Sequence, residues 1–202
     1  MRMLLNLGRL RGLYHVPMFA TVDLPYGVRL RPVEEDDAPA LAATLLRNRD
    51  HLLPFEGHRP DSFWTADGQR DRLRMLLGAQ ADGKMAGGML ARDGEIVGYI
   101  SLNMLTPAPV CGANLGYWVD AAEHGRGLAT AAVAGMLRIA EDLGLHRIEA
   151  GTSPANIPSQ RVLLKNGFEQ FGTARGHYYV DGRWQDSHLY ERILNDHPPV
   201  RR

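Results

Sequence analysis

Tyr117-Trp118-Val119-Asp120-Ala121-Ala122-Glu123-His124-Gly125-Arg126-Gly127-Leu128-Ala129-Thr130 leads from the end of an expected strand, through a glycine turn, into an expected helix. The strand is Leu115-Gly116-Tyr117-Trp118-Val119. The helix runs from about Gly127 to Leu143, and Gly144 stands where a C′ glycine ends a helix. His146-Arg147-Ile148-Glu149-Ala150-Gly151 then reads as a returning strand. A strand–helix–strand unit of this length pairs its two strands in parallel.

Working outward, the neighbours are antiparallel. Met85 to Arg92 and Glu95 to Leu102 flank Asp93-Gly94, a two-residue turn with the positive-φ preference of a tight hairpin. Further upstream, Val28-Arg29-Leu30-Arg31 alternates as a first strand and Pro32 ends it. Asp36 or Asp37 caps the next helix, with Pro39 in its first turn, where a missing N–H costs nothing. Leu41, Leu45 and Leu46 give that helix its apolar stripe. A loop rich in His, Pro and aromatics spans His51 to Trp64, and Asp67 caps a second helix carrying Leu73, Leu76 and Leu77. Downstream, Asn156 opens a helix that Asn166-Gly167 closes. Phe168 to Thr173 is a strand, and Asp181-Gly182 turns a second hairpin between Gly176–Val180 and Arg183–Tyr190. The expected fold is α/β with a mixed, mostly antiparallel sheet, one parallel crossover, and helices on both faces.

A length of 202 residues suits one domain and can bury a sizeable core without disulfide or metal. We expect the domain over 18–195, an N-terminal extension over 1–17 and a tail over 196–202. The apolar start Met1-Arg2-Met3-Leu4-Leu5 is interrupted by Asn6, Gly8, Arg9 and Arg11, so it reads as neither signal peptide nor membrane span; Met18 is an alternative start. Lys plus Arg (23) equals Asp plus Glu (23), which leaves no global field toward nucleic acid or an anionic membrane. The one cysteine, Cys111, excludes an internal disulfide and suits a reducing cytoplasm. It has no nearby cationic partner in sequence and is expected to be inert. The eight histidines show no ligand spacing, so no metal is expected.

At the turn, Gly125 and Gly127 carry no Cβ, so backbone N–H groups can point inward and a phosphate can come close. The helix N-terminus adds unpaired donors and the positive end of its dipole. Arg126 can add a charge-assisted contact. The turn lacks the Gly-Lys-Ser/Thr of a P-loop and the third glycine of the dinucleotide fingerprint. Taken alone, the same glycines serve equally as a sharp strand-to-helix turn.

With Tyr117-Trp118-Val119-Asp120 before it, His124-Gly125-Arg126-Gly127-Leu128-Ala129-Thr130 resembles the cofactor motif of the GNAT N-acetyltransferase superfamily, Gln/Arg-x-x-Gly-x-Gly/Ala. Gly127 and Ala129 match its last anchors, and His124 replaces its first. Downstream, Asn156-Ile157-Pro158-Ser159 and Lys165-Asn166-Gly167-Phe168 look like the family's Asn-x-x-Ser…Gly-Phe segment. The resemblance covers roughly Val28 to Ile193 and is closest to ribosomal-protein N-terminal acetyltransferases of the RimJ/RimL type. Arg31-Pro32, Asn48-Arg49-Asp50-His51-Leu52, Ser101-Leu102-Asn103 and Asp181-Gly182-Arg183-Trp184-Gln185-Asp186 carry that part of it.

The resemblance implies a GNAT-like fold and acetyl-CoA as co-substrate. Tyr117, Trp118 and Val119 would lie along the cofactor, and His124 to Thr130 would hold its pyrophosphate. Asn156, Ser159 and Lys165 would complete its site, although Asn156 and Ser159 also suit simple N-capping. It implies direct transfer of acetyl to an amine, with the strand ending at Val119 splaying to free a backbone N–H for the thioester oxygen. Related enzymes place a carboxylate base on the strand after Phe168. Here Arg175-Gly176-His177-Tyr178-Tyr179 offers none, so His177 and Glu56 are the candidate bases. Ser159 is the candidate donor to the leaving thiolate. Asn103, Trp64 and Tyr178 are candidates for the acceptor wall, or sheet and core packing.

An α-amine of pKa about 8 is partly neutral at physiological pH, whereas a lysine near about 10.4 is not. The resemblance makes a protein N-terminus, on the analogy of a ribosomal protein, the first acceptor, and such an amine demands less of a general base. A small amine (antibiotic, polyamine or amino acid) is the second, and a non-catalytic acyl-CoA sensor a third reading. The 51–64 loop should separate the first two, because a peptide needs a long open groove and a small amine a closed pocket. A homodimer is left open.

Overall fold

A computed structural model of the chain describes residues 19–55, 57, 59–180 and 182–199. The extension expected over 1–17 lies outside them, as do residues 200–202 of the tail.

Eight strands form one sheet: β1 (Val22–Asp23), β2 (Arg29–Pro32), β3 (Ala86–Arg92), β4 (Glu95–Thr106), β5 (Gly112–Val119), β6 (Arg147–Thr152), β7 (Glu169–Val180) and β8 (Arg183–Ile193). Their order is β1-β2-β3-β4-β5-β6-β8-β7. Every neighbouring pair is antiparallel except β5–β6, which the crossover helix makes parallel. Helices α1 (Ala38–Arg47), the single turn α2 (Arg49–Leu52) and α3 (Ala66–Ala81) lie on one side of the sheet. Helices α4 (Leu128–Asp142) and α5 (Ile157–Lys165) lie on the other. The expected mixed sheet with one parallel crossover and helices on both faces is the fold observed.

Side-chain alternation divides the sheet between two cores. On the α4 side, Leu30, Leu90, Ile100, Leu102 and Leu115 pack with Leu128, Met136, Leu163 and Phe168. On the α1/α3 side, Met89, Ala91 and Tyr99 pack with Leu41, Leu45, Trp64 and Leu73. Each large side chain removed from water contributes about 1.5–3 kcal/mol. β4 and β5 lie between the two layers.

Several local expectations are corrected. Leu46 is 55% exposed, so α1 packs through Ala38, Leu41, Ala42 and Leu45 instead. Glu34 and Asp37 form a capping box around a 3-10 turn at Glu35–Asp37, from which α1 continues. Asp37 also takes a hydrogen bond from Arg31 at 3.0 Å. Thr65, not Asp67, caps α3: its backbone is extended and its Oγ1 accepts from Gly68 N at 3.1 Å. Asp67 lies inside the first turn and pairs with Arg70. The 51–64 loop holds the rest of α2 and a 3-10 turn at Asp61–Trp64. The two segments expected on either side of residues 174–175 are one strand, β7, interrupted by an irregularity between Ala174 and Tyr178. Strand β1 went unread because two residues carry no periodicity. Cys111 is buried just before β5.

Candidate active site

β5 and β6 pair at three positions only, Gly112↔Arg147, Ala113↔Ile148 and Asn114↔Glu149. Beyond them β5 keeps β4 as its partner and β6 keeps β8, so a wedge opens between the two parallel strands. The direction of the free backbone groups follows from alternation. Cys111 O accepts from Arg147 N toward β6, while Asp120 N donates to Val97 O toward β4. Odd-numbered residues of β5 therefore aim their N–H and C=O at β6; the Asn114↔Glu149 pairing takes up the Leu115 N–H, and beyond it no strand receives them. Tyr117 and Val119 present amide donors to the wedge, in the manner of an oxyanion site.

A cavity of about 910 Å³ fills the wedge, within the range that holds a small organic ligand. At one end lies the glycine turn. Gly125 (φ 75°) and Gly127 (φ 81°) adopt the left-handed conformation. A Cβ at either would meet nothing within 4 Å, so the backbone angle and not crowding requires glycine. Gly127 caps α4 without a side chain, and the first helical bond is Ala131 N to Gly127 O at 3.0 Å. The N–H groups of Leu128, Ala129 and Thr130 thus lack intrahelical partners, and these residues line the cavity. The arrangement suits an anion.

The end of α1 anchors this turn. Asn48 Oδ1 accepts from Ala121 N at 2.8 Å, and Asp120 accepts from Ala122 N at 3.0 Å and from Arg47 Nε at 2.8 Å. Burial pushes the Asp120 carboxyl up, but the Ala122 N–H, Arg47 and Asn48 together hold it below its ordinary value. His124 lines the cavity with its ring 4.5 Å from that of His51. Burial, then the neighbouring His124, lowers the His51 pKa. Arg126 does not line the cavity: its guanidinium pairs with Glu123 at 3.1 Å and lies 4.3 Å from the Tyr26 ring centre.

The middle of the cavity holds a hydroxyl pair. Tyr117 Oη is 2.9 Å from Ser159 Oγ and 3.3 Å from the Ser159 carbonyl oxygen. Asn156 fixes that turn by accepting from Ser159 N at 3.1 Å. Burial drives the Tyr117 pKa up to about 12 against the Ser159 hydrogen bond, so the phenol keeps its proton. Trp118, Val119, Asn156 and Lys165 also line the cavity.

Of the acceptor candidates, only Tyr178 reaches this cavity, on β7. Trp64 is buried in the α1/α3 core with Arg49 over its ring. Asn103 donates to Ser101 Oγ at 3.0 Å and lines neither this cavity nor a smaller one behind β5. His177 is exposed, stacked on Tyr178 at 4.1 Å, and outside the lining. Glu56 lies outside the described residues. Sequence reasoning missed Asp186, a carboxylate of the lining that accepts from Gly176 N at 2.9 Å. Its signal was present, since Asp186 closes the Asp-Gly-Arg-Trp-Gln-Asp run; in the structure it stands on β8 opposite the β7 irregularity. Among the described residues, no three His, Cys, Asp or Glu side chains gather as a metal site, and no helix is long and apolar enough to cross a membrane.

The acetyltransferase (GNAT) domain matches residues 28–169. A probable N-acetyltransferase of Bacillus subtilis is 36% identical over 171 residues, 83% of this chain and 94% of that one. The ribosomal protein uS5 alanine N-acetyltransferase of Escherichia coli is 29% identical over 175 residues, 85% of this chain and 90% of that one. Among solved structures, the ribosomal-protein-S5-alanine acetyltransferase of Vibrio fischeri matches with a TM-score of 0.85 at 28% identity, covering 90% of this chain and 100% of that one. Mycobacterium smegmatis RimJ, solved in complex with CoA-disulfide, matches with a TM-score of 0.80 at 32% identity, covering 86% of each chain.

Proposed function

The chain belongs to the acetyltransferase (GNAT) family and is an acetyl-CoA-dependent N-acetyltransferase, and from that premise we propose that its acceptor is the N-terminal α-amine of a protein, a ribosomal protein being the model. The parting of β5 from β6 carries this reading, because it sets free amide donors, an anion-binding turn and a hydroxyl pair along one cavity.

In the proposed arrangement the pyrophosphate lies on the N–H groups of Leu128, Ala129 and Thr130, and the pantetheine arm follows β5 toward Asn156. A β5 amide, Tyr117 N–H or a neighbour, polarises the thioester carbonyl. The neutral amine attacks the carbonyl carbon, the C–S bond breaks, and the amine's surplus proton passes to water. The sulfur leaves with its electron pair and takes a proton through Ser159. When the Tyr117 phenol donates to Ser159 Oγ, the serine proton is free to point into the cavity; solvent then restores it. An α-amine of pKa about 8 needs little help to be neutral, which suits a site whose cavity carboxylates, among the described residues, are Asp186 and the ion-paired Glu123.

One contact favours a smaller acceptor. A methyl group on Gly57 would lie 3.8 Å from the Tyr179 carbonyl, so the 51–64 loop and the β7–β8 hairpin meet across the cavity. A single panel tests both readings: release of free CoA thiol with peptides beginning Ala, Ser or Met, beside small amines. Release with peptides supports the N-terminal reading, and release with small amines alone supports the other.

A further inference from the structure

The hairpin that joins β1 to β2 turns through Pro25–Gly27 and meets the glycine turn from outside the cavity. Leu24 N donates to Val28 O at 2.8 Å, and both side chains are buried in the α4-side core, which anchors the hairpin. Tyr26 at its tip adopts φ 63°, a left-handed angle unfavourable to a residue with a Cβ. Such an outlier directs attention to what the side chain touches. Tyr26 touches Arg126 twice. Its Oη donates to the Arg126 carbonyl oxygen at 3.1 Å, and its ring centre lies 4.3 Å from the guanidinium carbon. Glu123 holds the same guanidinium at 3.1 Å and is itself paired with Arg92 of β3.

The consequence falls on the peptide unit between Arg126 and Gly127. That unit is trans, so its carbonyl and its N–H point in opposite directions. A carbonyl held by Tyr26 turns the Gly127 N–H away from Tyr26, and Gly127 lines the cavity whereas Tyr26 does not. Glycine accepts φ of either sign, so an unheld unit can rotate and offer its carbonyl oxygen to the cavity instead. An oxygen there repels a phosphate, whereas an N–H joins the donors of Leu128, Ala129 and Thr130. We infer that Tyr26 is a positioning residue for acetyl-CoA, a latch that keeps the Gly127 N–H facing the pyrophosphate. The inference rests on the placement of the pyrophosphate at this turn and is independent of the acceptor.

Tyr26→Phe keeps the ring beside Arg126 and removes only the hydroxyl. The test titrates the wild-type chain and this variant calorimetrically with acetyl-CoA and with acetyl-pantetheine, which lacks the pyrophosphate. Tyr26→Phe should bind acetyl-CoA about three- to ten-fold more weakly, the worth of one hydrogen bond, and acetyl-pantetheine as the wild type does. Heteronuclear NMR adds a direct signature: the Gly127 amide resonance should shift or broaden in the free variant. Unchanged acetyl-CoA affinity overturns the latch. Equal weakening toward both donors also overturns it, since Tyr26 would then support the fold and not the turn. A wild type that binds both donors equally well overturns the placement of the pyrophosphate, whatever Tyr26→Phe does.

Discussion

The hydroxyl oxygens of Tyr117 and Ser159 lie 2.9 Å apart and join β5 to the first turn of α5 across the wedge. Deleting one of them separates chemistry from binding. Ser159→Ala should lower kcat by about ten- to a hundred-fold, toward the low end of general-acid effects. Acetyl-CoA affinity should hardly change, because the serine is proposed to act on the sulfur only as it leaves. Steady-state kinetics beside calorimetric titration with acetyl-CoA reads both. An unchanged kcat removes Ser159 from the mechanism.

Tyr117 also gives an alkaline signature. Its folded pKa of about 12 stands above the ordinary 10.0 because burial disfavours the phenolate. A raised folded pKa means that the folded state holds the proton more tightly. The stability so gained is fully present below about pH 10 and is lost as pH rises from there through about 12. Melting temperatures between pH 9 and pH 12 should therefore fall more steeply for the wild type than for Tyr117→Phe. Parallel curves would contradict the burial of this phenol.

Gly127→Ala isolates the backbone angle, since the added methyl group meets nothing within 4 Å. At φ 81° a non-glycine residue costs roughly 1–2 kcal/mol. The variant should either melt earlier by that amount or relax the turn and bind acetyl-CoA more weakly. Denaturant unfolding with and without acetyl-CoA distinguishes the two. Wild-type values in both measurements would show that the turn does not need its left-handed residue.

Asp120 supplies an acid-side counterpart. Its folded pKa is lowered, so the stability it contributes is present above about pH 3.8 and is lost as pH falls through its folded value. At neutral pH, Asp120→Asn should cost about 1–3 kcal/mol, because Arg47 and the Ala122 N–H lose a charged acceptor. The deficit should shrink in acid. A deficit that stays constant as pH falls below about 3.8 would mean that the carboxylate charge is not what anchors the turn.

What the residues disclose on inspection depends on whether the cause is local. Gly125 and Gly127 disclose a left-handed backbone, and Gly144 a helix stop, because only glycine adopts these angles freely. The parallel crossover was legible for the same reason: chain length between two strands limits how they can pair. The parting of β5 from β6 could be expected only through a family likeness. Nothing in Leu115–Val119 or Ala150–Thr152 reveals that the strands diverge after Asn114, since partners far away in sequence decide it. Trp64 fits an acceptor wall or a core equally well, and α1 and α3 settle it as core. Arg126 resembles a phosphate ligand until Glu123, three residues earlier, is seen to hold it. Asp186 stands on β8, whose place beside β6 and along the cavity is set by pairing with residues far away in sequence.

On the proposed reading this cavity passes acetyl from acetyl-CoA to an N-terminal α-amine. Mass spectrometry of peptides beginning Ala or Ser, after incubation with protein and acetyl-CoA, tests it most directly. One acetyl group should appear on the N-terminal residue, formed in step with free CoA thiol and greatly reduced with Ser159→Ala. Thiol release that does not depend on the peptide, or acetyl found only on lysine side chains, would contradict it.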